Sequence, residues 1–357
     1  MNNVLTASGM NTFLSCPRKY FWQNEIGLRK TFEDSPALKF GSAWARAMEA
    51  RWNKATYEEA LAAAIPQDST VWDEFIAGTL SALLAAYYDY YGVREQFGEM
   101  TPEVQFRSDM GIGWTAEGKI DGLGFLADGR HGIVESKTTS DSVAPDSDYW
   151  LRTTFNVQVY QYIVEARKLG WDIATTYYDV TKKPMLRNKE FVEELDEEGL
   201  KIVLDADGNR VLLKAGKNKG KPKQSADKNK GEILQGHKET PDEYCDRVYK
   251  DVKSRPDYYF VRREIPVLEN SIDAFIRQRI IIRDTIEFCR SKEEFAMMDS
   301  YRRDSDPRDP SAWPRNVSSD TCDYCQFKNF CLNNQTVDLQ SPPQGFHVTE
   351  FNPELKK

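Results

Sequence analysis

Between residues 103 and 180 the chain switches from two-residue to helical periodicity and back, and this alternation restricts its fold more than any other feature. EVQFRSD, GWTAEGKIDGLGFL and GIVESKTT read as three strands separated by glycine-rich turns. NVQVYQYIVEARKL at 156–169 carries apolar residues at helical spacing, and ATTYYDV at 174–180 returns to a strand. Strand, strand, strand, helix, strand describes a compact α/β unit.

The flanks read differently. Upstream, 36–51, 56–65 and 71–91 have helical patterns, and TASGMNTFLSCPRKYFWQNEIGL reads as a capped helix running into Cys16. Tyr87, Tyr88, Tyr90 and Tyr91 fit core and helix surface better than a stacking platform. Residues 182–240 look inserted. KIVLDADGNRVLLK is a hairpin turning at Asp207-Gly208, and the lysine-rich GKNKGKPKQSADKNKG is a solvated, mobile loop or a loop that touches phosphates. Helices resume at 241–254 and 267–294 around a strand at 258–265. The expected division is therefore a mainly helical region (1–100) carrying the first cluster cysteine, a core (101–181), an inserted hairpin and lysine-rich segment (182–240), and a helical region with a cysteine cluster and tail (241–357). All four are expected to fold as one compact unit.

The 357 residues suffice for a buried core, and 40% apolar with 29% charged residues is ordinary for a globular chain. No apolar run is long enough to span a bilayer, and the first residues lack the pattern of a secretion signal, so a cytoplasmic setting is expected. A net charge of −8 weighs against a generally basic nucleic-acid binder. It leaves room for a local basic groove, which is what decides binding.

The chemistry centres on Asp121 and on Glu135-Ser136-Lys137. If 132–138 is a strand, Glu135 and Lys137 project from one face, and the preceding strand can set Asp121 beside them. Adjacent carboxylates repel, and a hard divalent cation relieves the repulsion through oxygen ligands. A nearby lysine can orient an attacking water or neutralise developing charge, as metal-assisted phosphodiester hydrolysis requires. Alone, an E-x-K on a strand is usually a solvated charge pair. Here it follows an apolar run, and Gln158 and Tyr162 lie four apart on one face of the next helix.

Gly118-Lys119-Ile120-Asp121, Glu135-Ser136-Lys137 and Gln158-Val159-Tyr160-Gln161-Tyr162, in that order, resemble the RecB-like branch of the PD-(D/E)XK nuclease superfamily. The resemblance implies a mixed central sheet flanked by helices, with Mg2+ or Mn2+ on Asp121 and Glu135 and Lys137 as a catalytic group. Gln158 and Tyr162 would support the site or contact the DNA backbone. Glu103 stands where many relatives carry an acid on the first core strand; a structural salt bridge is an equal alternative. Relatives place a metal-binding histidine in a G-x-x-x-H motif, but the matching stretch, Gly41-Ser42-Ala43-Trp44-Ala45, ends in alanine. Either the site is naturally short of a ligand, or a histidine was replaced to trap a DNA-bound state, which the otherwise intact motif set favours. The three histidines, His131, His237 and His347, all lie in other contexts.

Of the six cysteines, Cys322-x2-Cys325-x5-Cys331 has metal-type spacing. Cys16, beside Pro17, is the natural fourth ligand. Four thiolates suit a [4Fe–4S] cluster or Zn2+. The stretch Cys16-Pro17-Arg18-Lys19-Tyr20 with three C-terminal cysteines resembles iron–sulfur nucleases of the same superfamily: CRISPR-associated RecB-like exonucleases, the AddB C-terminal nuclease and eukaryotic single-strand exonucleases. That favours the cluster, as a staple joining the chain ends. Cys245 and Cys289 read as core residues.

Basic residues that could flank a DNA channel fall in three groups: Arg18, Lys19, Arg29 and Lys30; Lys182, Lys183, Arg187 and Lys189; and Arg262, Arg263, Arg277, Arg279 and Arg283. Ordinary surface charge is the competing explanation for each. The leading expectation is a metal-dependent DNA exonuclease acting on single strands or DNA ends, with a helicase or recombination partner in a bacterial or phage setting implied only by resemblance. A non-catalytic DNA-binding partner with the same fold and a zinc-stapled interaction protein are the alternatives.

Overall fold

A computed structural model of the protein describes residues 3–31, 36–65, 72–153, 155–298, 310–333, 335, 337, 338 and 341–349, with backbone only for 294–298. It divides into two units: Met1–Ala64, Arg94–Lys182 and Phe260–Lys357 make the first, Ile65–Val93 and Lys183–Tyr259 the second. Among the described residues, no helix is long and apolar enough to cross a membrane.

The first unit is a mixed α/β structure built on a six-stranded sheet. Its strands are β1 (Val4–Leu5), β2 (Phe97–Asp109), β3 (Thr115–Leu126), β4 (His131–Thr139), β5 (Ile173–Lys182) and β6 (Phe260–Pro266). β2, β3 and β4 form an antiparallel meander, β5 runs parallel to β4, and β6 returns antiparallel to β5. The parallel step needs a crossover, which the Asp148–Thr153 and Val157–Lys168 helices supply. The central strands are buried on both faces. Ile133, Val134 and Glu135 on β4, and Tyr178, Asp179 and Val180 on β5, are each at most 1% exposed.

Each of the core elements expected between 103 and 180 is present. β2 differs by starting at Phe97, ahead of the expected Glu103. FGEMTP has glycine and proline, which argue against a strand, but among the described residues β2 is an edge that pairs only with β3, and an edge strand tolerates a proline. β1 was not foreseen: two residues carry no period, and only the parallel pairing Val4↔Thr115 and Leu5↔Ala116 defines them.

The N-terminal stretch forms the expected capped helix running into Cys16 and then restarts beyond it. Thr6 caps the Ala7–Ser15 helix by accepting from Gly9 N at 3.0 Å. Cys16 is extended, Pro17 opens a second short helix to Tyr20, and a π-helical turn follows over Phe21–Glu25. A proline after an extended residue restarts the helix because its fixed φ suits the first turn and its missing N–H costs nothing there.

The long Glu269–Met298 helix is tied to the Val157–Lys168 helix by Arg279, which donates to buried Glu165 at 2.6 Å. Removing one member of such a buried pair costs about 3–5 kcal/mol, because the other charge is left uncompensated.

In the second unit, the Glu74–Tyr91 and Pro241–Ser254 helices pack through Phe75 on Tyr244 and through the Tyr249 hydroxyl, which donates to Asp89 at 2.5 Å. Thr240 and Glu243 form a reciprocal capping box. Residue 71, where the sequence placed the start of the first of these helices, lies outside the described residues. The remainder is a series of short antiparallel pairings, including the turn at Asp205–Gly208.

Candidate active site and cysteine cavity

The acidic site lies where the sheet forks. β4 pairs with β3 only from Phe125↔His131 to Gly122↔Val134, and beyond that point it pairs with β5 alone. Asp121 and Glu135 are the first residues past the last rung. The Ser136 N–H, which has no β3 carbonyl to meet, donates instead to Asp121 Oδ2 at 3.2 Å. The far end of the gap is filled by β1, and buried Gln161 reaches Leu5 O at 3.4 Å and Glu117 O at 3.5 Å. The fork thus aims two carboxylates at one spot and satisfies the backbone that the opening exposes.

Four sequence-expected residues join in one chain of contacts. Lys137 Nζ forms an ion pair with Glu135 Oε1 and donates to Gln158 Oε1 at 3.2 Å. Gln158 Nε2 donates to the Tyr162 hydroxyl at 2.8 Å. An ammonium can only donate, so the Gln158 amide is fixed with its oxygen towards Lys137. Asn156 caps this helix by accepting from Gln158 N at 2.9 Å, which fixes where Gln158 and Tyr162 emerge. The glycine of the G-x-x-D stretch also has a cause: a Cβ on Gly118 would stand 2.7 Å from the ring of Phe106, which packs in turn against Tyr162.

The electrostatics are those of two carboxylates and an ammonium packed together out of water. Burial, then the neighbouring Glu135, push the Asp121 carboxyl up to about 8. For Lys137, burial works against the charge, but Glu135 and Asp121 outweigh it and hold the ammonium above its ordinary range. Burial and the same two carboxylates raise the Tyr162 phenol well above its usual range, so it remains a neutral donor. Glu135 is fully buried, and its Oε2 has no hydrogen-bond partner among the described residues. An orphaned carboxylate oxygen is costly unless something else completes it.

Glu103 lies on β2 across from Asp121, between the pairs Pro102↔Gly122 and Val104↔Ile120, with a left-handed φ of 54°. Its carboxylate is paired with Lys119. Ala45 is exposed on the Pro36–Trp52 helix, one turn beyond Gly41, which approaches Thr138 on β4. The three histidines are elsewhere. His131 stacks edge-on with Phe125 and Trp171, His237 contacts Glu243 at 2.9 Å, and His347 is paired with Arg29 across a short two-stranded ribbon.

Sequence reading missed Tyr149. Burial raises its hydroxyl first; Lys137 opposes the shift and Glu135 adds to it, so Tyr149 lies within reach of the charges of the fork. The run SDYWLRTT, an aromatic pair following the E-x-K strand, was the available signal.

Cys16, Cys322, Cys325 and Cys331 line one cavity with Lys19, Trp22 and Arg315. Asn316 N donates to Cys16 Sγ at 3.5 Å, and Cys322 Sγ lies 4.0 Å from Asn316 O. The wall is aromatic: Trp22 meets Phe330 edge-on at 5.4 Å, and Phe327 and Phe346 extend the stack. Burial raises the Cys325 and Cys331 thiols. Cys245 and Cys289 lie on helices and are not among the residues that line this cavity.

The basic candidates divide by burial. Arg18 is buried and donates to Trp313 O at 2.8 Å, beside the cysteine cavity. Lys19 lines that cavity, Lys182 is buried at the end of β5, and Lys183 is partly buried. Arg262 is held by Glu95 at 2.6 Å over the Phe97 ring, and Arg279 by Glu165, so both are interior braces.

Among the described residues, no group of three or more His, Cys, Asp or Glu side chains is arranged to hold a single metal ion. The donor set at the fork, two carboxylates of which one has a buried oxygen without a hydrogen-bond partner, suits Mg2+ or Mn2+, which bind through one or two carboxylates and keep waters or substrate oxygens in the remaining positions.

Residues 4–332 match the family model of the PD-(D/E)XK nuclease superfamily. The chain belongs to that superfamily and is a nuclease by family, and its members typically use Mg2+ or Mn2+. No curated protein matches it by sequence. Solved structures similar to it include SSO0001, at 11% identity and a TM-score of 0.33, covering 94% of this chain and 89% of that one. Another is a Eubacterium rectale protein described as a candidate exonuclease, at 13% identity and a TM-score of 0.32, covering 71% and 79%.

Proposed function

We propose that this chain is a metal-dependent DNA exonuclease acting on single strands or DNA ends, with a structural [4Fe–4S] cluster on Cys16, Cys322, Cys325 and Cys331. The observation that carries the reading is the fork, where Asp121, Glu135 and Lys137 meet and a buried Glu135 oxygen is left without a partner. Asp121 and Glu135 would hold Mg2+ or Mn2+, which when bound supplies Lewis-acid stabilisation of the phosphate and a more acidic water. Lys137, locked between Glu135 and Gln158, stands ready to neutralise charge on the phosphate or to position water. Gln158 and neutral Tyr162 hold that ammonium in place. Lys19 and Lys183, which are only partly buried, are proposed to contact the DNA backbone, and buried Arg18 to brace the cysteine cavity. The iron–sulfur reading places the chain in the RecB-like branch of its superfamily.

A second reading rests on Ala45. A methyl cannot ligate metal, and without a third protein ligand the chain would bind DNA while turning over slowly or not at all. End-labelled DNA in Mg2+ or Mn2+ separates the two when the parent chain is compared with Ala45→His and Glu135→Ala. Cleavage by the parent, raised in Ala45→His and lost in Glu135→Ala, supports the nuclease. No cleavage by the parent or by Ala45→His, with DNA affinity retained, supports the binding partner. Absorbance near 400 nm in the purified protein tests the cluster, and a colourless protein carrying zinc overturns it.

A further inference from the structure

We propose that the lysine-rich hairpin of the second unit, within residues 214–230, is a binding surface for the sugar–phosphate backbone of DNA, engaged without regard to base sequence. It rests on the nuclease reading, which supplies the polyanion, and adds a surface that the active-site motifs do not contain.

The segment is built rather than merely solvated. Leu212 bridges Pro222, Leu213 N donates to Lys221 O at 2.9 Å, Gly220 N to Leu213 O at 2.8 Å and Lys223 N to Val211 O at 2.9 Å. Gly216 and Gly220, with φ of 83° and 85°, make the reversal that side-chain-bearing residues resist. The tip holds its lysines out. Lys214, Lys217, Lys219, Lys221 and Lys228 are exposed, and none has a carboxylate partner among the described residues. Lys223 and Lys230 are neutralised by Glu232 at 2.5 Å and Asp227 at 3.3 Å. In a chain of net charge −8, this stretch carries seven lysines against Asp227 as its sole acid. Concentrating cations on one projecting hairpin of an acidic protein gives a local attraction that the total charge conceals.

The residue types narrow the partner. The stretch has no arginine for bidentate recognition of bases and no aromatic ring for stacking. Lysine is a mobile point charge suited to phosphates. Contacts of this kind position a nucleic acid and carry no sequence information.

The test is binding of a fluorescein-labelled single-stranded oligonucleotide to the full chain without Mg2+ or Mn2+, followed by anisotropy across a salt series. Replacing Lys214, Lys217, Lys219 and Lys221 together by Gln should weaken binding roughly tenfold or more. The slope of log affinity against log salt should fall by about 3, or roughly 0.7 per lost phosphate contact. The loss should be equal for oligonucleotides of different sequence, and replacing the same four by Arg should restore affinity, which excludes a folding defect. Unchanged affinity and slope in the Gln variant, or a loss confined to one base sequence, overturns the proposal. Cleavage in Mn2+ by the parent and Ala45→His is scored separately. Its absence sinks the nuclease reading and leaves the binding result standing.

Discussion

The acidic fork and the cysteine cavity solve the same problem, gathering ligands, in opposite ways. The fork draws Asp121, Glu135 and Lys137 from adjacent strands of one meander, and sheet pairing positions them whatever is bound. The cavity draws Cys16 from one end of the chain and three cysteines from the other, on helices of only four and five residues and the turn between them. Regular hydrogen bonding fixes the first. The second relies on a few aromatic contacts and on isolated hydrogen bonds from Arg18 and Asn316. The fork should therefore be a preformed site whose ligand serves chemistry, and the cavity a site whose ligand serves the fold.

Four substitutions or conditions can break or sharpen that contrast. Glu135→Gln should reduce metal-dependent cleavage by roughly a thousandfold or more, several kcal/mol of lost transition-state stabilisation, while far-UV circular dichroism and melting stay near the parent's. A collapse of the fold would show that the fork is not preformed. Cys325→Ser should do the reverse, removing absorbance near 400 nm and lowering the melting temperature substantially, because ligand binding at such a site is folding free energy. An unaltered melting curve would deny the cavity its structural role.

pH acts on the fork through Asp121. Asp121 has a folded value near 8 against an ordinary value of 3.8, so the metal-free fold is penalised as pH rises from about 4 and the penalty levels off above 8. Each pKa unit is worth about 1.4 kcal/mol at most. Asp121→Asn should therefore stabilise the metal-free protein at pH 8 relative to pH 4, as urea titration would measure. Mg2+ affinity of the parent should fall by up to about tenfold per unit below pH 8, since binding must displace that proton. A pH-independent Mg2+ affinity would show that Asp121 is not a ligand. The smallest effect is expected for Gln158→Leu. Losing one hydrogen bond to Lys137 costs about 1–2 kcal/mol and should lower cleavage about tenfold without moving the cluster absorbance.

Legibility followed the same division. The core strands and the crossover helix were readable because period and turn chemistry are local, and Asp121, Glu135, Lys137, Gln158 and Tyr162 were readable as a spaced motif. Tyr149 was not, because nothing in its local pattern shows that the charges of Lys137 and Glu135 act on it. Arg262 and Arg279 looked like free cations until Glu95 and Glu165 were seen to hold them. The lysine-rich stretch, expected as a mobile loop or a phosphate contact, is a hairpin whose weak alternation gave no strand signal.

From its residues alone the chain specified which side chains share a strand face and which share a helix face, since those relations follow from backbone period. Tertiary structure decided where β3 and β4 part, which leaves the Ser136 N–H to Asp121 and strands a Glu135 oxygen in the interior. It also decided that Cys16 meets Cys322, Cys325 and Cys331. Such contacts join segments distant in sequence, and no local period encodes them.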